Sequence, residues 1–301
     1  MKNRRDFLKT TALVLSSTLI STDILAAKKK GNVGVQLYSV RKDMEQNPLG
    51  TLKKVAKMGY KNVEHANYIA HKFYGYSAIE FKKILDDLGL KMPSGHTVLD
   101  KNKHWDTAKN DFNDIWKRTV DDAAICGQKH VISPWLDVSQ RKNLNDLKFM
   151  MEVFNKSGEL CKKAGMKYGY HNHDFEFSEK LEGITIYDHI LQNTDAELVV
   201  HQLDIGNMYG GGGRAAEVIK KYPGRFQSMH VKDEIESTTK PGKFESTIIG
   251  KGVVNTRDVI ELGRKMGGTT ELIIEQESYQ NTSALEAIKE DLAIMKKWGY
   301  K

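Results

Sequence analysis

The fold class that the sequence predicts is a (β/α)8 barrel over residues 32–301, a single domain preceded by an export leader over residues 1–27. Three observations predict it. A helix–Gly–strand unit recurs along the chain, a polar residue closes almost every strand, and the repeat length averages about 34 residues, enough for one strand and one helix. Eight such units close into a parallel barrel ringed by helices.

The first strand is Val33–Tyr38. Lys53–Met58 reads as a helix ended by Gly59, followed by the strand Tyr60–Val63 and Glu64. Phe81–Leu88, Gly89, Leu90–Gly95 and His96 repeat the pattern, as do Thr119–Cys126, Gly127, Lys129–Ser133 and Pro134. Met151–Ala164, Gly165, Met166–Tyr170 and His171 come next, and the strand Glu197–Leu203 leads to Asp204. Ala215–Pro223, Gly224, Arg225–Met229 and His230 precede Val259–Met266, Gly267-Gly268, Thr269–Ile274 and Glu275. A final helix, Ser283–Trp298, stops at Gly299. Glycine recurs at these stops because the residue after a helix often needs positive φ, which costs glycine nothing.

A doubly wound dinucleotide fold would need a Gly-x-Gly-x-x-Gly turn after the first strand, and Gln36–Arg41 contains no glycine. The run Gly210-Gly211-Gly212-Gly213 follows the sixth strand and reads as a mobile loop at the barrel mouth, not a phosphate cradle.

The net charge of +7 is concentrated at the front. Lys2, Arg4, Arg5 and Lys9 against Asp6 and Asp23, followed by Lys28, Lys29 and Lys30, carry five of those charges. The near-neutral remainder lacks the basic face that nucleic-acid binding requires. Asn3-Arg4-Arg5-Asp6-Phe7-Leu8-Lys9, the apolar run Thr10–Ile20 and the small residues Ala26-Ala27 make a signal peptide of twin-arginine type. The expectation is periplasmic export with no stable membrane span after cleavage. Cys126 and Cys161 each fall late in a helix and read as two buried thiols, not a disulfide.

In this architecture the strand carboxyl ends form the active site. There the sequence places Gln36, Tyr38, Glu64, His96, His171, His173, Asp204, His230, Lys232 and Glu275. Side chains two apart on a strand share a face, so His171 and His173 point together, as do His230 and Lys232. His171, Asp204, His230 and Glu275 close four successive strands. Two imidazoles and two carboxylates suit one divalent ion such as Mn2+, Zn2+ or Co2+, with Mg2+ also compatible. His65 should face away from the mouth, and His130, His201, His71 and His189 read as packing, loop or helix residues.

Several segments together resemble one known family: Gly34-Val35-Gln36-Leu37-Tyr38-Ser39-Val40-Arg41, Gly59–Glu64, Tyr170-His171-Asn172-His173, Leu203-Asp204-Ile205-Gly206-Asn207, Met229-His230-Val231-Lys232-Asp233 and Ile274-Glu275-Gln276-Glu277. From Asn32 onward the chain resembles the xylose isomerase-like barrels, also called the sugar phosphate isomerase/epimerase or type 2 apurinic-endonuclease-like family. The resemblance implies one metal held by a Glu, an Asp, a His and a second Glu. The last three map to Asp204, His230 and Glu275. The first Glu is replaced here, with His171 as its substitute, His173 as the alternative and Glu176 further into the loop. Epimerases of the family exchange a proton between two facing ligand glutamates. His171 at one of those places points instead toward one-sided proton abstraction, as in dehydratases or keto-glycoside-cleaving members.

The other mouth residues carry open alternatives. Glu64 is a general base, an orienter of a substrate hydroxyl, or a partner of Lys232 or Arg41. His96 moves a proton or forms part of the wall. Lys232 binds a sugar oxygen, stabilises an enolate or pairs with Asp233 or Glu275. Trp135 offers a plate for a sugar ring or anchors its loop. Gln36, Tyr38, His173 and Glu176 complete the substrate-binding set, and His104, Trp105, Tyr74 and Tyr76 can line the cleft. The leading expectation is a metal-dependent sugar isomerase or epimerase acting beside a carbonyl. The alternative is a metal-dependent lyase, hydratase or hydrolase on 3-keto-glycosides; an endonuclease-like or non-catalytic sugar-binding barrel ranks lower. The substrate is a small carbohydrate, and a homodimer or homotetramer is compatible with the sequence.

Overall fold

The computed structural model describes residues 33–300; the leader expected over residues 1–27 lies outside the described residues. Eight parallel strands form one closed barrel: β1 (Val33–Gln36), β2 (Asn62–His65), β3 (Lys91–His96), β4 (His130–Ser133), β5 (Lys167–His171), β6 (Val199–Asp204), β7 (Ser228–Val231) and β8 (Glu271–Ile274). Each pairs with its neighbours in the sequence, and β8 returns to β1 through Val33 beside Leu272 and Val35 beside Ile274. Because helices cover the outside, these strands are buried on both faces, and several carry buried polar side chains such as Gln36, Ser133 and Ser228.

The covering helices are α1 (Pro48–Met58), α2 (Ala78–Asp87), α3 (Asp114–Ile125), α4 (Leu144–Lys163), α5 (Ile186–Asn193), α6 (Ala215–Lys221), α7 (Thr256–Leu262) and α8 (Ala284–Lys297). Each lays an apolar stripe on the barrel. α4 buries Leu147, Met150, Met151, Phe154 and Cys161 on one side, while Trp116 of α3 donates its indole N–H to Ser157 of α4 at 3.0 Å. The stops are those the repeat requires: Gly59 after α1 has φ 102° and Gly127 after α3 has φ 78°. Both α2 and α8 begin with a capping box, Ser77 with Glu80 and Ser283 with Glu286. Cys126 and Cys161 are free and buried, and burial pushes each thiol up to about 12. No helix of the described residues is long and apolar enough to cross a membrane.

Two features depart from the repeat. Four short antiparallel hairpins rise from the carboxyl ends of β2, β3, β5 and β7, spanning 68–73, 105–112, 180–185 and 233–247. In the polyglycine run, Gly210 ends a short helix (Ile205–Gly210), and Gly211 and Gly213 lie close against neighbouring segments. A Cβ on Gly211 would come within 2.2 Å of the Asp174 carbonyl oxygen, and one on Gly213 within 2.6 Å of Met208. The small residues there permit close approach between backbone segments.

Candidate metal centre and cleft

The carboxyl ends of β5 to β8 bring four side chains to one point. His171 ends β5, Asp204 ends β6, His230 lies in β7 and Glu275 follows β8. One ligand atom from each can be chosen so that all lie within 4.8 Å of one another, and all four residues are buried. His230 Nδ1 is 3.2 Å from Glu275 Oε2 and 3.8 Å from Asp204 Oδ2, and His171 Nε2 is 4.0 Å from that same Asp204 oxygen. Asp204 Oδ2 is buried and accepts no hydrogen bond. A carboxylate oxygen with no hydrogen bond, set among two imidazoles, a second carboxylate and the Lys232 ammonium at 3.6 Å, belongs to a donor set that fits a divalent cation.

The remaining nitrogens of both imidazoles are held from below. His230 Nε2 lies 2.6 Å from Glu64 Oε1, and His171 Nδ1 lies 3.1 Å from Gln202 Oε1. Glu64 is wholly enclosed and also accepts from Gln36 Nε2 at 2.8 Å, from Gln202 Nε2 at 2.8 Å and from the Ser94 hydroxyl. His96 Nε2 reaches Gln202 Oε1 at 2.7 Å and Glu64 Oε1 at 3.1 Å. The strand register creates this layer by placing Gln36 beside Glu64, Glu64 beside Ser94, and His171 beside Gln202. Outer partners of this kind fix the tautomer and direction of metal-binding imidazoles.

Charge balances across the layer. Burial works to raise the Glu64 carboxyl, but the imidazoles of His96 and His230 hold it well below the usual range. Burial likewise opposes ionisation of Glu275, and Lys232 and His230 overcome it. Burial depresses His230, while Glu275 and Glu64 lift it to about 10. His171 falls well below its usual value through burial and the neighbouring imidazoles of His230 and His96. Lys232 is almost fully buried; its ammonium lies 3.3 Å from Glu275 Oε2 and 3.6 Å from Asp204 Oδ2, bonds Asn207 Oδ1 at 3.0 Å, and pairs with Glu277.

Above the cluster opens a cleft of about 640 Å3 whose lining includes Tyr38, His96, Trp135, His171, His173 and Glu275. The indole of Trp135 is 41% exposed and stands edge-on to His173, with ring centroids 5.1 Å apart. His173 has a buried Nδ1 with no hydrogen-bond partner. Its imidazole is depressed to about 4 by burial and then by Lys232.

Four residues expected to bind substrate, Gln36, Glu64, Glu176 and Lys232, are buried and lie outside the cleft lining. Gln36 is buried, bonded to Glu64, and caps Tyr38 N. Glu64 pairs with neither Lys232 nor Arg41; Arg41 bonds Tyr38 O and the Tyr279 hydroxyl. Glu176 is wholly buried, accepting from the Tyr170 hydroxyl at 2.5 Å and from His173 N at 2.8 Å, and burial raises its carboxyl to about 8. Of the remaining histidines, His65 packs edge-on against Phe73, His130 meets Glu271, His201 sits by Thr194 and Arg225, and His189 bonds Leu181 O. His71 differs: it bonds the Tyr68 hydroxyl and lines the cleft.

Gln202, Ser94 and Asn207 are site residues that sequence reasoning missed. Gln202 carried a usable signal, because it stands two residues before Asp204 and so shares its face of β6.

The geometry agrees with known proteins. The xylose isomerase-like TIM barrel family matches residues 52–298. An inosose dehydratase of Clostridium perfringens is 35% identical over 106 residues, covering 35% of this chain and 35% of that protein. One of Clostridium botulinum is 29% identical over 126 residues, 42% of this chain and 41% of that protein. The matches therefore span well under half the length of these curated relatives. A sugar phosphate isomerase/epimerase of Parabacteroides distasonis superposes with a TM-score of 0.76 at 28% identity, over 90% of this chain and 95% of that one. With its closed eight-strand barrel and a family match over most of its length, the chain belongs to the xylose isomerase-like TIM barrel family.

Proposed function

We propose that this protein is a metal-dependent lyase that eliminates a group from a polyol-like ketone or keto-sugar. His171, Asp204, His230 and Glu275 hold one divalent cation in this reading. The observation that carries it is the makeup of the cluster, where His171 joins Asp204, His230 and Glu275 at the place the resemblance reserves for a second glutamate. A facing carboxylate pair can pass a proton across a substrate and return it, as epimerisation requires. An imidazole wall opposite one carboxylate favours removing the proton without returning it. The inosose dehydratase relatives support the same direction.

A bound divalent cation would polarise the substrate carbonyl and acidify the adjacent C–H. The protein's own groups do the rest. Lys232 keeps Glu275 ionised and fixes its place. Glu64 and Gln202 aim His230 and His171. His173, whose ring lines the cleft, accepts the proton, and His96, in the same lining, donates to the departing oxygen. Glu64 thus acts as an orienting carboxylate, not a base, and Glu176 sets the backbone of His173. The Asn3–Lys9 segment supports a periplasmic location.

The test is incubation of the metal-loaded protein in deuterium oxide with an inosose and with a 3-keto-glucoside. The expected result is loss of water or alcohol and appearance of an unsaturated ketone. Recovery of an epimer carrying one solvent deuterium, with no unsaturated product, would make the protein an isomerase. The likeness to the Parabacteroides isomerase/epimerase favours that second reading.

A further inference from the structure

We infer that Glu277, a residue outside the four-ligand cluster, is the station that lets the Lys232 ammonium give way to a divalent cation, and that it thereby sets how tightly the cluster binds metal. Glu277 is then a positioning residue that acts through Lys232. This inference rests on the cation site of the proposed function and is independent of the elimination step.

The placement of charge is the first argument. Among the described residues, Lys232 Nζ meets oxygens of four neighbours. Two belong to the cluster: Glu275 Oε2 at 3.3 Å and Asp204 Oδ2 at 3.6 Å. These are the oxygens the cluster has to offer. Asp204 Oδ1 already accepts Asn207 N at 2.7 Å, which leaves Oδ2, 3.8 Å from His230 Nδ1. Glu275 Oε2 lies 3.2 Å from that same nitrogen. An ammonium held beside both oxygens competes with a doubly charged ion for them and repels it. The other two neighbours, Asn207 Oδ1 at 3.0 Å and Glu277 Oε1, lie outside the cluster.

Freedom of movement is the second argument. Asp204 is pinned, because the Asn172 side chain accepts from Asp204 N at 3.0 Å and donates to Asp204 O at 3.0 Å. The stem of Lys232 is boxed in as well. A Cβ on Gly206 would come within 2.7 Å of Lys232 Cγ, so glycine there lets the stem lie against the 205–210 helix. The bonds beyond Cγ still swing the charged tip between the cluster and Glu277.

Glu277 is anchored to receive it. Its backbone N–H donates to Ser246 Oγ at 2.7 Å, that of Ser278 donates to the same oxygen at 2.9 Å, and Arg41 binds its carbonyl at 3.3 Å. Its side chain is 38% exposed, pairs with Lys232 and borders the cleft. Lys232 keeps Glu275 ionised and in place until a cation takes over that charge. The carboxylate of Glu277 then keeps the buried ammonium paired, which spares the cost of an uncompensated charge. With an amide at 277, the ammonium is left with a neutral oxygen at Asn207 and the two cluster carboxylates, and the competition moves toward the carboxylates.

The test is affinity for Mn2+, read by chelator competition at one fixed pH, in the parent, Glu277→Gln, Lys232→Met and the double variant. Glu277→Gln should bind Mn2+ about tenfold more weakly than the parent, and Lys232→Met about tenfold more tightly. The double variant should match Lys232→Met, because Glu277 has nothing to act through once the ammonium is gone. An equal loss from Glu277→Gln in both backgrounds would make Glu277 a structural or general field effect and overturn the inference. Unchanged affinity in Glu277→Gln, or weaker binding in Lys232→Met, overturns it too. Lys232→Gln, neutral and of similar reach, replaces Lys232→Met should that variant not fold. A parent that binds no Mn2+ would overturn the cation site and this inference with it. Failure of elimination with the affinity pattern intact would overturn the lyase reading alone.

Discussion

His230 Nε2 lies 2.6 Å from Glu64 Oε1 at the centre of the barrel, while Nδ1 of the same ring faces Glu275 Oε2 at 3.2 Å. One imidazole is therefore gripped by a carboxylate below and directed at a carboxylate above. Replacing Glu64 by Gln puts an amide N–H2 among the donors Gln36, Gln202 and His230. Chelator competition should show metal affinity falling about 10- to 100-fold, the usual cost of losing such an outer partner. An affinity equal to the parent's would show that Glu64 does not orient His230.

His171→Ala should lower bound divalent metal well below one equivalent, as measured by elemental analysis of the purified protein. Unchanged metal content would transfer the ligand role to His173.

Asp291 in α8 gives a pH dependence that does not involve the site. Its Oδ1 accepts Ile249 N at 2.9 Å, its Oδ2 is buried without a partner, and burial raises the carboxyl to about 8. The folded protein thus holds a proton that the unfolded chain, with an ordinary carboxyl near 3.9, releases. The stabilisation is complete below about pH 4 and is lost progressively as pH rises toward 8. Asp291→Asn should flatten this part of the Tm-against-pH curve; an unchanged slope would show that Asp291 is not its source.

Ser283 caps α8 by accepting from Glu286 N at 3.3 Å, and the Glu286 carboxylate accepts from Ser283 N in return. Ser283→Ala should cost about 1 kcal/mol in urea unfolding, with metal content untouched. A loss of metal would mean that the end of α8 is coupled to Glu275.

The eight strands were legible because a glycine closes most of the helix-to-strand turns and a polar residue follows most strands, and both leave marks in one dimension. Asp204, His230 and Glu275 were legible because strand ends face the mouth. Depth was not legible. Glu64 and Glu176 sit at strand-end or loop positions like the others, yet strand stagger sinks Glu64 beneath the mouth, and the turn after His173 folds Glu176 under Tyr170. The hairpins at 68–73 and 105–112 were invisible because two-residue strands are too short to show alternation.

The hydrogen-bonded floor under the cluster draws one or more side chains from β1, β2, β3, β6 and β7, whereas the far wall of the cleft belongs to excursions outside the barrel. Under the proposed function, reactivity and selectivity would consequently be housed in separable parts of the molecule. Exchanging the segment 68–73 or the start of α3 can redirect what the protein accepts while the cation-holding machinery stays assembled, which makes these the places where natural descent or a laboratory would retune it.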